Sequence, residues 1–190
     1  MHRYSFVIFL SLFLSLALSS QEAGATFFTG ISVGQSSDRY ITENNSYHYG
    51  YTVGLDARLT SGSLYFLVSG EYGKLDFRGV KENSLSTSEK VNLFKGRAGM
   101  GFKILGISED IYFTSRLQGS FNLVTDYDHN NTWLKDNRIN DGFMGVNTGL
   151  EFNFYALWAA IEYEKGIINM YFQRPESLID FVSFKVGVKF

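Results

Sequence analysis

Apolar and polar side chains alternate at every second position through most of the chain after residue 26. The pattern is clearest at residues 47–59, where Tyr, Val, Leu and Ala alternate with His, Gly, Thr, Asp and Arg. Because successive side chains of a strand point to opposite faces, a period of two indicates strands with one apolar and one polar face. Eight segments carry the pattern: residues 27–36, 47–59, 63–74, 90–104, 111–124, 142–153, 157–165 and 181–190.

The connections between these segments alternate in length. The short ones are residues 60–62, 105–110 and 154–156, and the long ones are residues 37–46, 75–89, 125–141 and 166–178. An even number of strands with short turns at one end and long loops at the other is typical of bacterial membrane barrels. The sequence therefore predicts an all-β fold, an eight-stranded antiparallel up-and-down transmembrane β-barrel. Short turns and both termini would lie in the periplasm, and the longer loops would be extracellular.

A soluble lipocalin-like barrel or a sandwich is the alternative fold. In either one the apolar side chains would converge on a core. Here the opposite face of each strand carries the charges and many of the glycines, which suits a water-facing or charge-paired interior. This distribution favours apolar side chains outside and polar side chains inside.

The first 25 residues have the composition of a secretory signal peptide. A basic start precedes an apolar run at residues 6–18, and Ala-Gly-Ala at 23–25 fits the rule for cleavage after small residues. Ser19 offers a second cleavage position. The apolar run is too short to span a bilayer comfortably as a retained helix. We predict a cleaved signal peptide over residues 1–25 and a barrel domain over residues 26–190.

Composition narrows the chemistry. The chain has no Cys, which excludes disulfides, thiolate metal sites and Cys nucleophiles. Its net charge of -2 gives no electrostatic basis for nucleic-acid binding, so no nucleic-acid partner is predicted. The 19 Gly residues and the 17% aromatic content suit a β-rich protein.

Charged residues concentrate on the polar faces of the predicted strands. Alternation assigns twelve of them to the lumen: Asp56, Arg58, Glu71, Lys95, Arg97, Lys103, Arg116, Glu151, Glu162, Glu164, Lys185 and Lys189. An eight-stranded barrel is just wide enough for side chains to fill it, and an unpaired buried charge is costly. We therefore expect acids and bases of different strands to pair and fill the lumen. An acid/base pair or a proton path is the other interpretation of these carboxylates.

The last strand is the most diagnostic segment. Phe184, Val186, Val188 and Phe190 share its apolar face. Such a strand resembles the closing strand of bacterial outer-membrane barrels, in which a terminal Phe belongs to the signal read by the assembly machinery. With the alternation and the loop rhythm, the chain from about residue 27 resembles the small OmpA/OmpX-type barrels and the broad outer membrane protein beta-barrel domain families of Gram-negative bacteria.

The resemblance implies a place in the outer membrane, contact with outer-membrane lipid and assembly by the barrel-assembly machinery. These families contain structural proteins, adhesins, small porins and accessory subunits, so the fold alone does not select an activity. We expect a non-enzymatic structural or interaction protein that contacts a protein partner through its extracellular loops. Two alternatives stay open: a small porin or channel for ions or small solutes, and a membrane-embedded lipid-modifying enzyme.

Candidate catalytic and metal-binding residues are few. His48 has Ser46 and Glu43 nearby, but the arrangement differs from the His-x-Ser pattern expected of lipid A deacylases, and His129 falls in a loop. Residues 126–130 begin like a calcium loop, D-x-D-x-N, yet the Gly and the bidentate Glu that complete such a loop are missing. We predict no catalytic residue, no metal and no cofactor.

Residues 166–175 are unusually apolar for an external loop. We expect Ile167, Met170, Tyr171 and Phe172 either to cover the mouth of the barrel or to contact another protein, because apolar patches of this size are seldom left in water.

Overall fold

The structure is a computed structural model that describes residues 22–36, 47–79, 87–126, 141–169 and 178–190. Its strands are β1 (Glu22–Ser36), β2 (Tyr47–Ser61), β3 (Leu64–Gly79), β4 (Thr87–Gly106), β5 (Ile111–Asp126), β6 (Gly142–Phe154), β7 (Leu157–Gly166) and β8 (Ile179–Lys189). Each strand pairs antiparallel with the next, and β8 pairs with β1 to close the sheet. The predicted eight-stranded antiparallel barrel is confirmed. The described residues contain no helix of the length and apolarity that a membrane span requires.

The connections distinguish the two ends of the barrel. Three short ones, residues 62–63, 107–110 and 155–156, lie at the end that also holds Glu22 and Phe190, here called the turn end. The strand ends that the longer connections join lie at the opposite end, the loop end. Gly62 has a φ of 62° in its turn, a conformation that costs Gly little because it has no Cβ.

The strand register shows how strongly the barrel is staggered. Following paired residues once around the sheet from Met144 of β6 leads back to β6 at Phe154, ten residues further along. With a rise of about 3.3 Å per residue and strands about 4.8 Å apart, this stagger tilts the strands by about 40°. Because of this stagger, side chains that meet across the lumen lie at different distances from the ends of their own strands.

The outward face is an apolar band. Exposed outward side chains include Phe27, Ile31, Val53, Val68, Met100, Leu117, Val146, Leu150, Ile161 and Val186. On β4 the band runs from Phe94 to Ile104, which at that tilt corresponds to a height of about 25 Å. Membrane barrels carry an outward apolar band of about this height.

Strands β3 and β4 extend further toward the loop end than the sequence pattern predicts. Residues 75–89 are predicted as a loop, but β3–β4 pairing continues through Leu75 and Val91 to Gly79 and Thr87. The prediction was wrong there because the outward side chains become hydrophilic while Leu75 and Val91 stay buried inside. Strand β1 also begins earlier than predicted, at residue 22.

The interior has three layers along the barrel axis. The layer at the loop end is apolar and consists of Leu75, Val91, Leu93, Phe143, Ile179 and Phe181. The middle layer is charged. The layer at the turn end is aromatic, with Phe28, Tyr65 and Trp158. Gly101 makes room for Tyr65, since a Cβ there would lie 2.1 Å from the tyrosine ring.

Candidate functional site

Ten charged side chains from seven strands fill the middle layer of the lumen. The structure places there ten of the twelve residues that alternation assigns to the lumen: Asp56, Arg58, Glu71, Lys95, Arg97, Arg116, Glu151, Glu162, Glu164 and Lys185. The other two, Lys103 and Lys189, lie nearer the turn end, where their ammonium groups are 4.6 and 5.1 Å from the centre of the Tyr112 ring. Of the ten, five are basic and five acidic, so their formal charges cancel. Eight of the ten side chains are at most 3% exposed, and those of Arg58 and Lys95 are each 10% exposed. Each occupies an inward position of its strand, which is why the period-of-two pattern positions it.

We call these ten side chains the lumen network. At its centre, Arg97 and Lys185 contact two acids, Glu71 and Glu162. Arg97 donates through Nη1 to Glu162 Oε2 at 2.5 Å and through Nη2 to Glu71. Lys185 Nζ lies 2.5 Å from Glu71 Oε2 and 3.1 Å from Glu162 Oε2. Two acids of β3 and β7 therefore share two bases of β4 and β8, and the contacts connect four strands across the lumen.

Arg116 connects this centre to a second group nearer the turn end. Its Nη1 lies 3.1 Å from Asp56 Oδ2 and 2.9 Å from Glu151 Oε1, and its Nη2 contacts Glu162. Arg58 donates to both oxygens of Glu151, at 2.9 and 3.0 Å, and to Asp56 at 3.3 Å. Arg116 thus contacts three carboxylates of three strands and is the most connected base of the lumen network.

Lys95 and Glu164 form a separate pair closer to the loop end. Lys95 Nζ donates to Glu164 Oε2 at 2.7 Å, and Ser120 and Asn122 donate to Oε1 at 2.8 and 2.9 Å. The ammonium also lies 4.7 Å from the centre of the Phe181 ring. This pair lies directly beneath the apolar layer, which shields it from the loop end.

Aromatic rings close the network on the turn-end side. The ring centres of Phe28 and Trp158 are 5.7 Å apart. The guanidinium carbons of Arg58 and Arg116 lie 5.5 and 5.4 Å from the Trp158 ring, and Lys185 Nζ lies 4.8 Å from the Phe28 ring. Rings at these distances attract the cations through their quadrupoles and exclude water from them.

The lumen network is built for pairing. Each of the five carboxylates contacts at least one ammonium or guanidinium group. Paired, hydrogen-bonded geometry of this kind is what offsets the cost of removing charges from water. These carboxylates are engaged by cations of other strands, and their contacts join strands across the lumen. Chemically, the arrangement obstructs the lumen and joins the strands.

Two lumen side chains of consequence were not singled out from the sequence. Tyr65 donates to Glu151 Oε2 at 2.9 Å, and Trp158 lies beneath two arginines. Alternation could have found both, because Tyr65 shares the inward face of β3 with Glu71, and Trp158 shares that of β7 with Glu162. Most of the apolar layer at the loop end could have been found in the same way, because Val91, Leu93, Phe143 and Phe181 fall on inward positions of the predicted strands. Only Leu75 and Ile179 lie outside the predicted strands.

Other candidates from the sequence lie apart from the lumen network. His48 is buried on the inward face of β2 near the loop end, while Ser46, Glu43 and His129 fall outside the described residues. Residue 126 ends β5, and the rest of the calcium-like motif also falls outside. Within the described ranges, no three metal-binding side chains come together.

The apolar loop segment is described only in part. Ile167 is exposed, and its N–H donates to Met144 O at 2.9 Å. Met170, Tyr171 and Phe172 fall outside the described residues. The mouth-cap and partner-contact interpretations therefore both remain predictions.

The closing strand meets the first strand at the turn end. Phe184, Val186 and Val188 project outward from β8. Phe190 N–H donates to Ala25 O at 2.9 Å, and Ala25 N–H donates to Phe190 O at 2.9 Å. The residues of the predicted assembly signal thus lie along the seam where the barrel closes.

Comparisons with known proteins identify solved structures of similar fold. No protein-family model matches the chain, and no curated protein matches it in sequence. Neisserial surface protein A (NspA) aligns with a TM-score of 0.54 and 15% identity over 89% of this chain and 99% of that one. Ail, the attachment invasion locus protein of Yersinia pestis, solved in complex with the heparin analogue sucrose octasulfate, gives 0.52 and 12% over the same shares. The chain therefore has the fold of the small OmpA/OmpX-like outer-membrane β-barrels.

Proposed function

We propose that the protein is a non-conducting barrel of the outer membrane of a Gram-negative bacterium. The turn end, with both termini, faces the periplasm, and the loop end faces outward. The apolar band about 25 Å high supports insertion in a membrane. The fold shared with outer-membrane barrels supports the choice of membrane, and the short turns support the orientation because such barrels keep their short turns in the periplasm.

The observation that carries the proposal is the lumen network. Its charges are buried, paired and enclosed between an apolar layer and an aromatic layer. A conducting pore of this size would need polar groups that face water along its whole length. The barrel instead serves as a rigid support for its extracellular loops, through which it contacts a protein partner. Phe184, Val186, Val188 and Phe190 form the signal for the barrel-assembly machinery.

Conductance in planar bilayers tests this role. The parent protein should insert without steady unitary currents. A variant in which Phe181 of the apolar layer, Arg97 and Arg116 of the middle layer and Trp158 of the aromatic layer are all replaced by Ser should conduct small ions, because it removes side chains from each layer that closes the lumen. Steady currents from the parent would overturn the proposal and support the small-porin alternative.

The same pairing leaves the lumen carboxylates held by cations, so we propose no lipid-modifying chemistry for the lumen network. Lipid A from a strain that lacks the protein should keep its mass and acyl-chain pattern. A shift in that mass, restored by the parent protein, would reopen the enzyme alternative.

A further inference from the structure

Two of the twelve charged side chains that alternation assigns to the lumen lie outside the lumen network, and both are lysines. The ten members of the network cancel in formal charge, so Lys103 and Lys189 carry the excess positive charge of the inward faces. Lys103 is exposed and Lys189 is half-buried, and both lie at the turn end of the barrel. Solutes that approach from this end can therefore reach both ammonium groups.

The two ammonium groups converge on one aromatic ring. Lys103 Nζ lies 4.6 Å and Lys189 Nζ 5.1 Å from the centre of the Tyr112 ring, so one small molecule can reach both. Gly106 permits this approach, since a Cβ there would lie 2.8 Å from Lys103 Cε. Two like charges at short range repel each other, and an anion that contacts both relieves the repulsion.

Acids at the turn end do not form ion pairs with these lysines. Glu109 and Asp110 are exposed in the turn of residues 107–110. Asp110 attracts Lys189 from a longer distance, as does Glu151 of the lumen network, whereas Arg58 repels it. Among the residues that the structure describes, no carboxylate lies within ion-pair distance of Lys103 or Lys189. The N–H donors of both ammonium groups are therefore available to an anion from solution.

A cavity of about 290 Å³ opens beside Lys189 at this end. Arg58, Thr26, Thr60 and Tyr112 line it together with the lysine. Its volume is about that of ten water molecules in the liquid, and it lies near the lower limit for sites that hold small organic molecules. The cavity therefore admits a molecule of several carbon atoms that carries its own charged groups.

Buried polar groups without partners gather at the same end of the lumen. Asn153 is in register with Tyr112 on one side and with Trp158 on the other. Within the described ranges, its amide nitrogen and oxygen, Trp158 Nε1 and Arg58 Nε have no hydrogen-bond partner. Such groups are few in native proteins, and a polar ligand near them is one way to stabilise them.

We propose that the turn-end cavity binds a small organic dicarboxylate, with one carboxylate on Lys103 and the other on Lys189. Ammonium groups form charge-assisted hydrogen bonds to carboxylate oxygens, and two cations match two negative charges. The volume of the cavity accommodates the carbon chain between the two carboxylates. In the proposed orientation this ligand comes from the periplasm, so its source, though not the site itself, rests on the proposed function.

Isothermal titration calorimetry of the folded barrel in a nonionic detergent tests the site, with succinate as the probe. K103Q/K189Q should bind succinate at least about tenfold more weakly than the parent, because two charge-assisted hydrogen bonds are lost. The matched control K165Q should bind like the parent, since Lys165 pairs with Asp180 near the loop end. D110N should bind succinate more tightly than the parent, because it removes an acid that attracts Lys189. Succinamide, which has the same carbon skeleton without the charges, should bind far more weakly than succinate.

Unchanged binding by K103Q/K189Q, or equal binding of succinamide, would overturn the proposal. Competition by inorganic phosphate at the same concentration as succinate would also overturn it, because the site would then accept any small anion. A third contrary result is loss of succinate binding in bilayer discs that contain phosphatidylglycerol instead of a neutral lipid, which would assign the lysines to lipid headgroups.

Gel mobility without heating reports whether each variant is a folded barrel. If the double variant does not assemble, K103Q alone changes only an exposed side chain and carries the same expectation of weaker binding. Conductance of the parent would contradict the proposed role while leaving the calorimetric measurement interpretable, so the two failures can be told apart.

Discussion

Replacing Arg116 by Met should destabilise the barrel more than replacing any exposed base. Arg116 contacts Asp56, Glu151 and Glu162, and its side chain is 1% exposed. Met fills much of the same space without a charge. After the change, Asp56 and Glu151 share only Arg58, and the lumen network carries one net negative charge. The perturbation therefore tests whether the network holds the strands together or merely fills the space between them.

The expected cost follows from the burial of the partners that stay behind. Removing one member of a buried ion pair leaves an uncompensated charge and costs about 3–5 kcal/mol. We expect the upper part of that range because three carboxylates lose a partner. Adding Glu162→Gln restores neutrality, so the double variant should recover part of the loss, and the difference measures the coupling. The control is Lys165→Met, which removes a pair whose lysine is 55% exposed and should cost at most about 1 kcal/mol.

Urea unfolding of the detergent-solubilised protein, followed by circular dichroism, measures these differences. The slope of the free energy of unfolding against urea should stay the same in all variants, since the surface exposed on unfolding is unchanged. If Arg116→Met lies within about 1 kcal/mol of Lys165→Met, the lumen is hydrated enough to screen the charges. The network would then contribute little to stability, and its role in closing the lumen would have to be abandoned.

Three further predictions address the outer surface, the interior packing and the seam. Val68 is a strongly exposed outward residue in the middle of β3, and Val68→Arg should lower the free energy of unfolding in lipid by about 2–4 kcal/mol. Val68→Leu should leave that free energy nearly unchanged. Equal stability of the two variants would reject the lipid-facing assignment. Gly101→Ala should lower the free energy of unfolding by about 1–3 kcal/mol, because the added methyl group would collide with the Tyr65 ring. Gly96→Ala is the control and should be tolerated, because the space around it is open. Similar losses of stability for both variants in urea unfolding would contradict this packing. Cleavage after residue 25 would remove Ala25 and its two hydrogen bonds to Phe190, whereas cleavage after Ser19, the second position that the sequence offers, would keep both. We therefore expect cleavage at the earlier position, and an intact mass that lacks Ala25 would refute this.

Alternation along the chain predicts the architecture because a barrel repeats one physical rule on every strand. An outward side chain faces an apolar environment and an inward one faces other side chains, so a period of two identifies the face of each residue. Asp56 and Arg58 of β2, or Glu162 and Glu164 of β7, could be assigned inward from this period alone. Strand ends were less predictable where the outward face became hydrophilic, as in β3 from Lys74 onward, although Leu75 stays buried inside.

Partner choice inside the lumen could not be predicted in the same way. Which acid meets which base depends on the stagger of the sheet, and a ten-residue stagger is not visible in the alternation of any one strand. Arg58, for example, reaches Glu151, which is 93 residues away in sequence and lies four strands further around the barrel. The sequence therefore indicates that pairing must occur, whereas the closed sheet determines the pairs.

The stagger also decides where binding can take place. Because the tilted strands bring ten charges of seven strands into one layer, the charged groups of the inward faces contact one another in that layer. The outward faces are apolar for about 25 Å and can only contact lipid or another membrane protein. Specific recognition of a water-soluble ligand is therefore expected at the two ends of the barrel, where polar side chains outside that layer meet water.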